Sequence, residues 1–197
     1  MLDINHIREQ FPALSRKVGK NQAIFFDGPA GSQVPLSVAD AVRDALLHYN
    51  ANEGGCFETS LEVDALVEKG IATVAAFYGV NDRNIAFGPN MTTLNFHFTR
   101  AIARTLNEGD EIIVTRLDHD ANVSPWVLAA EAAGAIVRYI PLRSIDCTLD
   151  LEAYRALLNS KTRWVAVGLA SNATGGINPI RTISDLAHEL GAKVFVD

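Results

Sequence analysis

The chain has 197 residues, 48% of them hydrophobic and 20% charged, which is enough for one sizeable core and too apolar for global disorder. Seventeen basic against 23 acidic residues give a net charge of -6 with no lysine- or arginine-rich run, so the footprint of a nucleic-acid binder is missing. Cys56 and Cys147 are too few and too isolated for a disulfide framework or a CxxC metal site, the N-terminus carries no basic-then-apolar leader, and no window approaches about 18 uncharged apolar residues. A cytoplasmic protein with free thiols, neither secreted nor membrane-spanning, is expected.

In chain order, Ile4, Ile7, Phe11 and Leu14 form a rough helical stripe broken by Pro12. Ala23-Ile24-Phe25-Phe26 reads as a short extended run, and Asp27 to Ser32 is dense in turn residues. Helical spacing resumes over about 37–49, with Val38, Val42, Ala45 and Leu46 on one face. It returns over about 60–78, with Leu61, Ala65, Leu66, Ile71, Val74 and Phe77 expected inside.

From residue 84 short β-rich runs alternate with helical ones. Strands are predicted at 84–87, 111–115, 136–140, 163–169 and 193–196, and helices at about 93–106, 124–133, 151–159 and 180–190. Several strands are almost wholly apolar, the mark of a mainly parallel sheet covered by helices on both faces. No internal repeat, low-complexity tract or interdomain linker interrupts the pattern.

Polar groups gather where these strands end: Gly88-Pro89-Asn90-Met91-Thr92-Thr93, Leu117-Asp118-His119-Asp120-Ala121-Asn122, Ala170-Ser171-Asn172-Ala173-Thr174-Gly175-Gly176, and Asp197. In open α/β sheets the carboxyl ends of the strands are where ligands bind. Backbone N–H groups at Asn90-Met91 and the Thr92 hydroxyl could hold a phosphate, or Thr92 could simply cap its helix. His119 could ligate a metal, move a proton or lie as an aromatic plate against a planar ligand; extended backbone cannot aim Asp118, His119 and Asp120 at one ion. The Asn172 amide can donate to a phenolate or carbonyl oxygen, and Asp197 could hold a protonated ring nitrogen, cap a helix or bind a metal.

The order Thr92, His119, Asn172 and strand-terminal Asp197, in Gly-Pro-Asn-Met-Thr-Thr, Asp-His-Asp-Ala-Asn-Val-Ser-Pro-Trp, Ser-Asn-Ala-Thr-Gly-Gly and Val-Phe-Val-Asp, resembles the class V aminotransferases of fold type I, in their cysteine desulfurase-like branch. Phe26 to Pro35 resembles that branch's N-terminal substrate-side loop, and Ala51-Asn52-Glu53-Gly54-Gly55 the segment after it. The resemblance implies an incomplete pyridoxal-phosphate-dependent transferase large domain. It divides the chain into an N-terminal segment, 1–50, with the substrate-side loop, and a partial cofactor-binding domain, 51–197, whose C-terminal part is absent.

By the same resemblance the cofactor is pyridoxal 5′-phosphate and the substrate a small amino acid. Asn90, Met91 and Thr92 would hold the phosphate, His119 would stack on the pyridine ring, Asn172 would contact its phenolic oxygen, and Asp197 would pair with its nitrogen. The family's covalent lysine, its loop cysteine and its carboxylate-binding arginine are expected after residue 197. Lys17, Lys20, Lys69, Lys161 and Lys193 all stand in the wrong context, and neither cysteine matches. No catalytic residue is therefore expected within the chain, which reads as the N-terminal part of a homodimeric enzyme. Desulfurases proper often carry a second histidine beside the stacking one, or a small residue before the phosphate threonine, where this chain has Asp120 and Met91. Substrate preference is left open. The other readings are a non-catalytic α/β protein binding a nucleotide or phosphometabolite at the same strand ends, and an inactive fragment; a GxGxxG fingerprint for the former is absent.

Overall fold

The structure, a computed structural model, describes residues 2–197. It divides into two compact units, one ending at Phe87 and the other spanning Gly88–Asp197.

The first unit is helical. Helix α1 (Ile4–Glu9) starts where the Asp3 carboxylate accepts from the His6 N–H at 3.1 Å. It stops before Pro12, which opens a 3-10 turn, Pro12–Ser15. Strands β1 (Lys17–Val18) and β2 (Asn21–Gln22) form a small antiparallel hairpin. Two longer helices follow, α2 (Leu36–His48) and α3 (Glu58–Tyr78). The Ser60 hydroxyl accepts from the Gly55 N–H at 2.7 Å and donates to the Asn52 carbonyl at 2.6 Å, pinning the loop before α3 to its first turn.

The extended run 23–26 adds one bond to the hairpin, the Ala23 N–H donating to the Arg16 carbonyl at 2.9 Å, and the ladder ends there. Two expectations fail in this unit. Asn84–Phe87 is not a strand. Asn84 closes a 3-10 turn, Asp82–Asn84, and the Ile85 N–H turns back to the Asp82 carbonyl at 3.0 Å. A strand exists only where a neighbour takes its backbone groups, and no described strand pairs with this segment. The apolar stripe of α3 is also not inside: Leu61 is 55% and Phe77 82% exposed, and only Ser60 and Ala75 of that helix are buried. Periodicity makes the helix, but this unit has only other helices and a hairpin of two-residue strands to cover it.

The second unit is a parallel sheet in order β4-β3-β5-β6, built from β3 (Glu111–Thr115), β4 (Ile136–Ile140), β5 (Thr162–Val167) and β6 (Lys193–Val196). Helices α4 (Met91–Ala103) and α5 (Ser124–Ala133) cover one face, α6 (Leu151–Leu157) and α7 (Ile180–Glu189) the other. The two faces follow from the pleat, which sends alternate residues to opposite sides. Ile113, Val165 and Val167 meet Tyr154, Ile183 and Ala187, while Ile112, Val114 and Ala166 meet Trp126 and Ala130. On that second side Trp126, Trp164, Phe98 and Phe195 form an aromatic cluster with centroids 5.4–6.0 Å apart.

The chain leaves β3 toward β4 on one side and returns to place β5 on the other. The order therefore reverses between β3 and β5, the topological switch point at which open α/β sheets leave a crevice outside the strand ends.

Candidate functional site

A cleft of about 280 Å³ lies at that point, lined by Met91 from the start of α4, Leu117, Asp118 and His119 after β3, Gly168, Ala170, Ser171, Asn172 and Asn178 after β5, and Asp197 after β6. Of the residues singled out in the sequence, Met91, His119, Asn172 and Asp197 share this cleft. Asn90 and Thr92 are not among its walls. Asn90 caps α4, its side-chain oxygen accepting from the Thr93 N–H at 2.8 Å, and Thr92 stands exposed in the first helical turn.

The pleat aims the strand-end residues. Asp197 has the parity of Phe195 and Gly168 that of Ala166, so both face the α4–α5 side, where the loop after β3 arrives. There His119 accepts the Ala121 N–H on Nδ1 at 3.1 Å, which fixes the ring against its own 3-10 turn, Asp120–Asn122. With Nδ1 engaged as an acceptor, the exposed Nε2 is the nitrogen left free to carry a proton. The loop after β5 closes through a Ser171 N–H bond to the Gly176 carbonyl at 2.9 Å, a Gly175 N–H bond to the Ser171 carbonyl at 2.9 Å, and Gly175 at φ +74°. Gly175 takes the left-handed conformation at no steric cost, leaving Asn172 at the exposed edge of the turn.

Sequence reasoning passed over three parts of this site. Asp118 drew notice only as a neighbour of His119, yet its carboxylate accepts from the Thr115 hydroxyl and from Asn122 Nδ2, the latter at 3.0 Å. Gly168 leaves room for it: a Cβ there would stand 2.7 Å from Asp118 Oδ1. Asn178, 7% exposed, donates to the Gly168 carbonyl at 2.7 Å while its own N–H reaches the Leu169 carbonyl at 2.9 Å, tying the two arms of the loop together. The Asn178-Pro179 dipeptide was the available signal for a turn; nothing local marks Asp118 or Gly168 as partners.

The electrostatics follow from this packing. The Asp197 carboxyl is pushed above its ordinary range, first by loss of solvent and then by the negative charge of Asp118, with a smaller opposing pull from His119. Among the described residues no lysine or arginine lines the cleft. Lys161 and Lys193 lie at the amino ends of β5 and β6, the opposite edge of the sheet, and Lys193 Nζ sits 5.6 Å from the Trp164 ring centre. Among the described residues no group of three or more His, Cys, Asp or Glu side chains could hold a metal ion, and no helix is long and apolar enough to cross a membrane. Cys56 and Cys147 are both exposed and free.

Fold and cleft together define an α/β protein with a cleft at the switch point of a parallel sheet. The profile described as Aminotransferase class-V matches residues 24–197, and the chain belongs to that family. It is 35% identical over its whole length to a probable cysteine desulfurase of Halobacterium salinarum, covering 48% of that protein, and 34% identical over 98% of its length to a cysteine desulfurase of Dickeya dadantii, again covering 48%. The apo structure of a cysteine desulfurase from Thermococcus onnurineus superposes with a TM-score of 0.87 at 26% identity, over 100% of this chain and 48% of that one. The fold is thus that of the fold type I transferase large domain. The chain spans about half the length of the curated relatives it matches.

Proposed function

We propose that the cleft is a pyridoxal 5′-phosphate site and that the complete protein acts on a small amino acid, cysteine being the substrate named for its relatives. The observation that carries this reading is that one cleft is lined by the strand-terminal Asp197, by His119 and by Met91 at the start of α4. The Asp197 carboxylate can take a charge-assisted bond from a pyridinium N–H. The remaining donors fit the rest of the cofactor. The N-terminus of the 13-residue α4 offers backbone N–H groups near Met91 for a phosphate, Asn172 offers an amide for the phenolic oxygen, and His119 offers a ring face.

When bound, the cofactor supplies an electron sink for bond cleavage at the substrate α-carbon. In this chain Asp197 would hold the proton on the ring nitrogen, His119 would fix the ring plane, and Asn178 would keep the loop carrying Asn172 against β5. None of the five lysines lies in the cleft, so binding by this chain is non-covalent; a covalent lysine, and a homodimer in the cytoplasm, belong to the proposal for the full-length protein.

Equilibrium dialysis of the 197-residue chain against pyridoxal phosphate tests the reading. Saturable, stoichiometric binding is expected, weakened about tenfold or more in Asp197→Asn through loss of the charge-assisted bond. Retention unchanged by both Asp197→Asn and His119→Ala would instead favour a phosphometabolite site that uses only the helix end.

A further inference from the structure

A second carboxylate, that of Asp118, lines the cleft together with Asp197. Asp118 is not a loose surface acid. Its carboxylate accepts from the Thr115 hydroxyl and from Asn122 Nδ2 at 3.0 Å, and its own N–H donates to Thr115 Oγ1 at 2.9 Å. Asn122 is 0% exposed, and its oxygen accepts from Trp126 Nε1 and Asn95 Nδ2, each at 3.3 Å. The carboxylate is therefore the outer end of a buried polar chain anchored in α4 and α5. On its other side is bare backbone, since Gly168 leaves the space that a Cβ would occupy 2.7 Å from Oδ1. Among the described residues three titratable groups line the cleft, Asp118, His119 and Asp197.

We propose that Asp118 is a positioning residue for the cofactor ring: a second, immobile anion beside Asp197 that makes the cleft select a ring bearing a proton on nitrogen, while its bonds to Thr115 and Asn122 hold the turn that presents His119. The inference rests on the pyridoxal-phosphate reading above. A fixed charge beside the ring acts through space, so it discriminates a pyridinium from a neutral ring of the same shape. Raising Asp197 at the same time keeps that carboxyl from being satisfied by water alone, and a cationic partner relieves both acids together.

The test compares pyridoxal phosphate with its carbocyclic analogue, in which a ring C–H replaces the nitrogen, on the 197-residue chain. The wild type should prefer the pyridine, and Asp118→Asn should reduce that preference about fivefold or more. Gly168→Ala keeps the charge but displaces it, and should reduce the preference without removing the acid. A ligand-free measurement separates this inference from the reading it rests on: carbon-detected NMR should show the Asp197 carboxyl titrating at lower pH in Asp118→Asn than in the wild type. If the wild type binds neither ring, the cofactor reading fails; a shifted Asp197 titration would still support the fixed anion, and an unshifted one would overturn it. If the wild type binds and Asp118→Asn leaves both the ring preference and the Asp197 titration unchanged, Asp118 is only structural. Should Asp118→Asn not fold, Gly168→Ala decides by the same two readouts.

Discussion

Helices α3 and α5 teach opposite lessons about an apolar stripe. In α5, Pro125, Trp126, Ala129 and Ala130 are all buried, because a sheet face stands opposite to receive them. In α3, twenty-one residues with comparable apolar spacing bury only Ser60 and Ala75. A hydrophobic period specifies that a helix forms and which way its stripe points; burial needs a second layer, and only the unit from Gly88 onward contains one. Stability should accordingly be concentrated there.

Trp126→Ala is the harshest way to sharpen the contrast. The indole is 0% exposed at the centre of the aromatic cluster, so its removal should cost about 3–5 kcal/mol in chemical denaturation. A loss below about 1 kcal/mol would mean that the cluster is not the core of this unit.

Acid should act on the same unit. Glu111 opens β3, 5% exposed, accepting from Arg138 at 3.0 Å and Asn159 at 2.9 Å. The Arg138 bond, opposed by burial and helped by Asn159, holds its carboxyl below the ordinary 4.5. A depressed folded-state value means that the unfolded chain takes up the proton first. The stabilisation is complete above about pH 4.5 and is lost as pH falls through the lower folded-state value. Urea midpoints measured down the acid limb should fall steeply in the wild type and less so in Glu111→Gln, which starts lower. An unchanged acid limb would remove Glu111 from the account.

The smallest effect belongs to the other unit. Phe77, 82% exposed, should tolerate replacement by Ser within about 0.5 kcal/mol. A loss of several kcal/mol in the same denaturation experiment would show that α3 is covered in solution and would break the contrast.

The same physical difference decides how much was legible in the sequence. Strands 111–115, 136–140 and 193–196 and helix 124–133 agree with their predicted bounds because apolar runs, turn residues and Gly134 mark them locally. The strand expected at 84–87 is missing because pairing is a property of two segments, and composition describes one. The strand ends that form the cleft were visible as polar punctuation after apolar runs. Asp118, Gly168 and Asn178 were not, because their roles exist only once β3 and β5 lie side by side and a loop carboxylate meets a bare glycine.

The central claim is that the cleft at the β3–β5 switch point holds pyridoxal phosphate. Amide chemical-shift mapping on the 197-residue chain tests it most directly. On addition of the cofactor, the account predicts shifts concentrated at Met91, Thr92, Asp118, His119, Asn172 and Asp197, with α2 and α3 unmoved. Shifts centred on the exposed lysines of the first unit, or none at the strand ends, would contradict it.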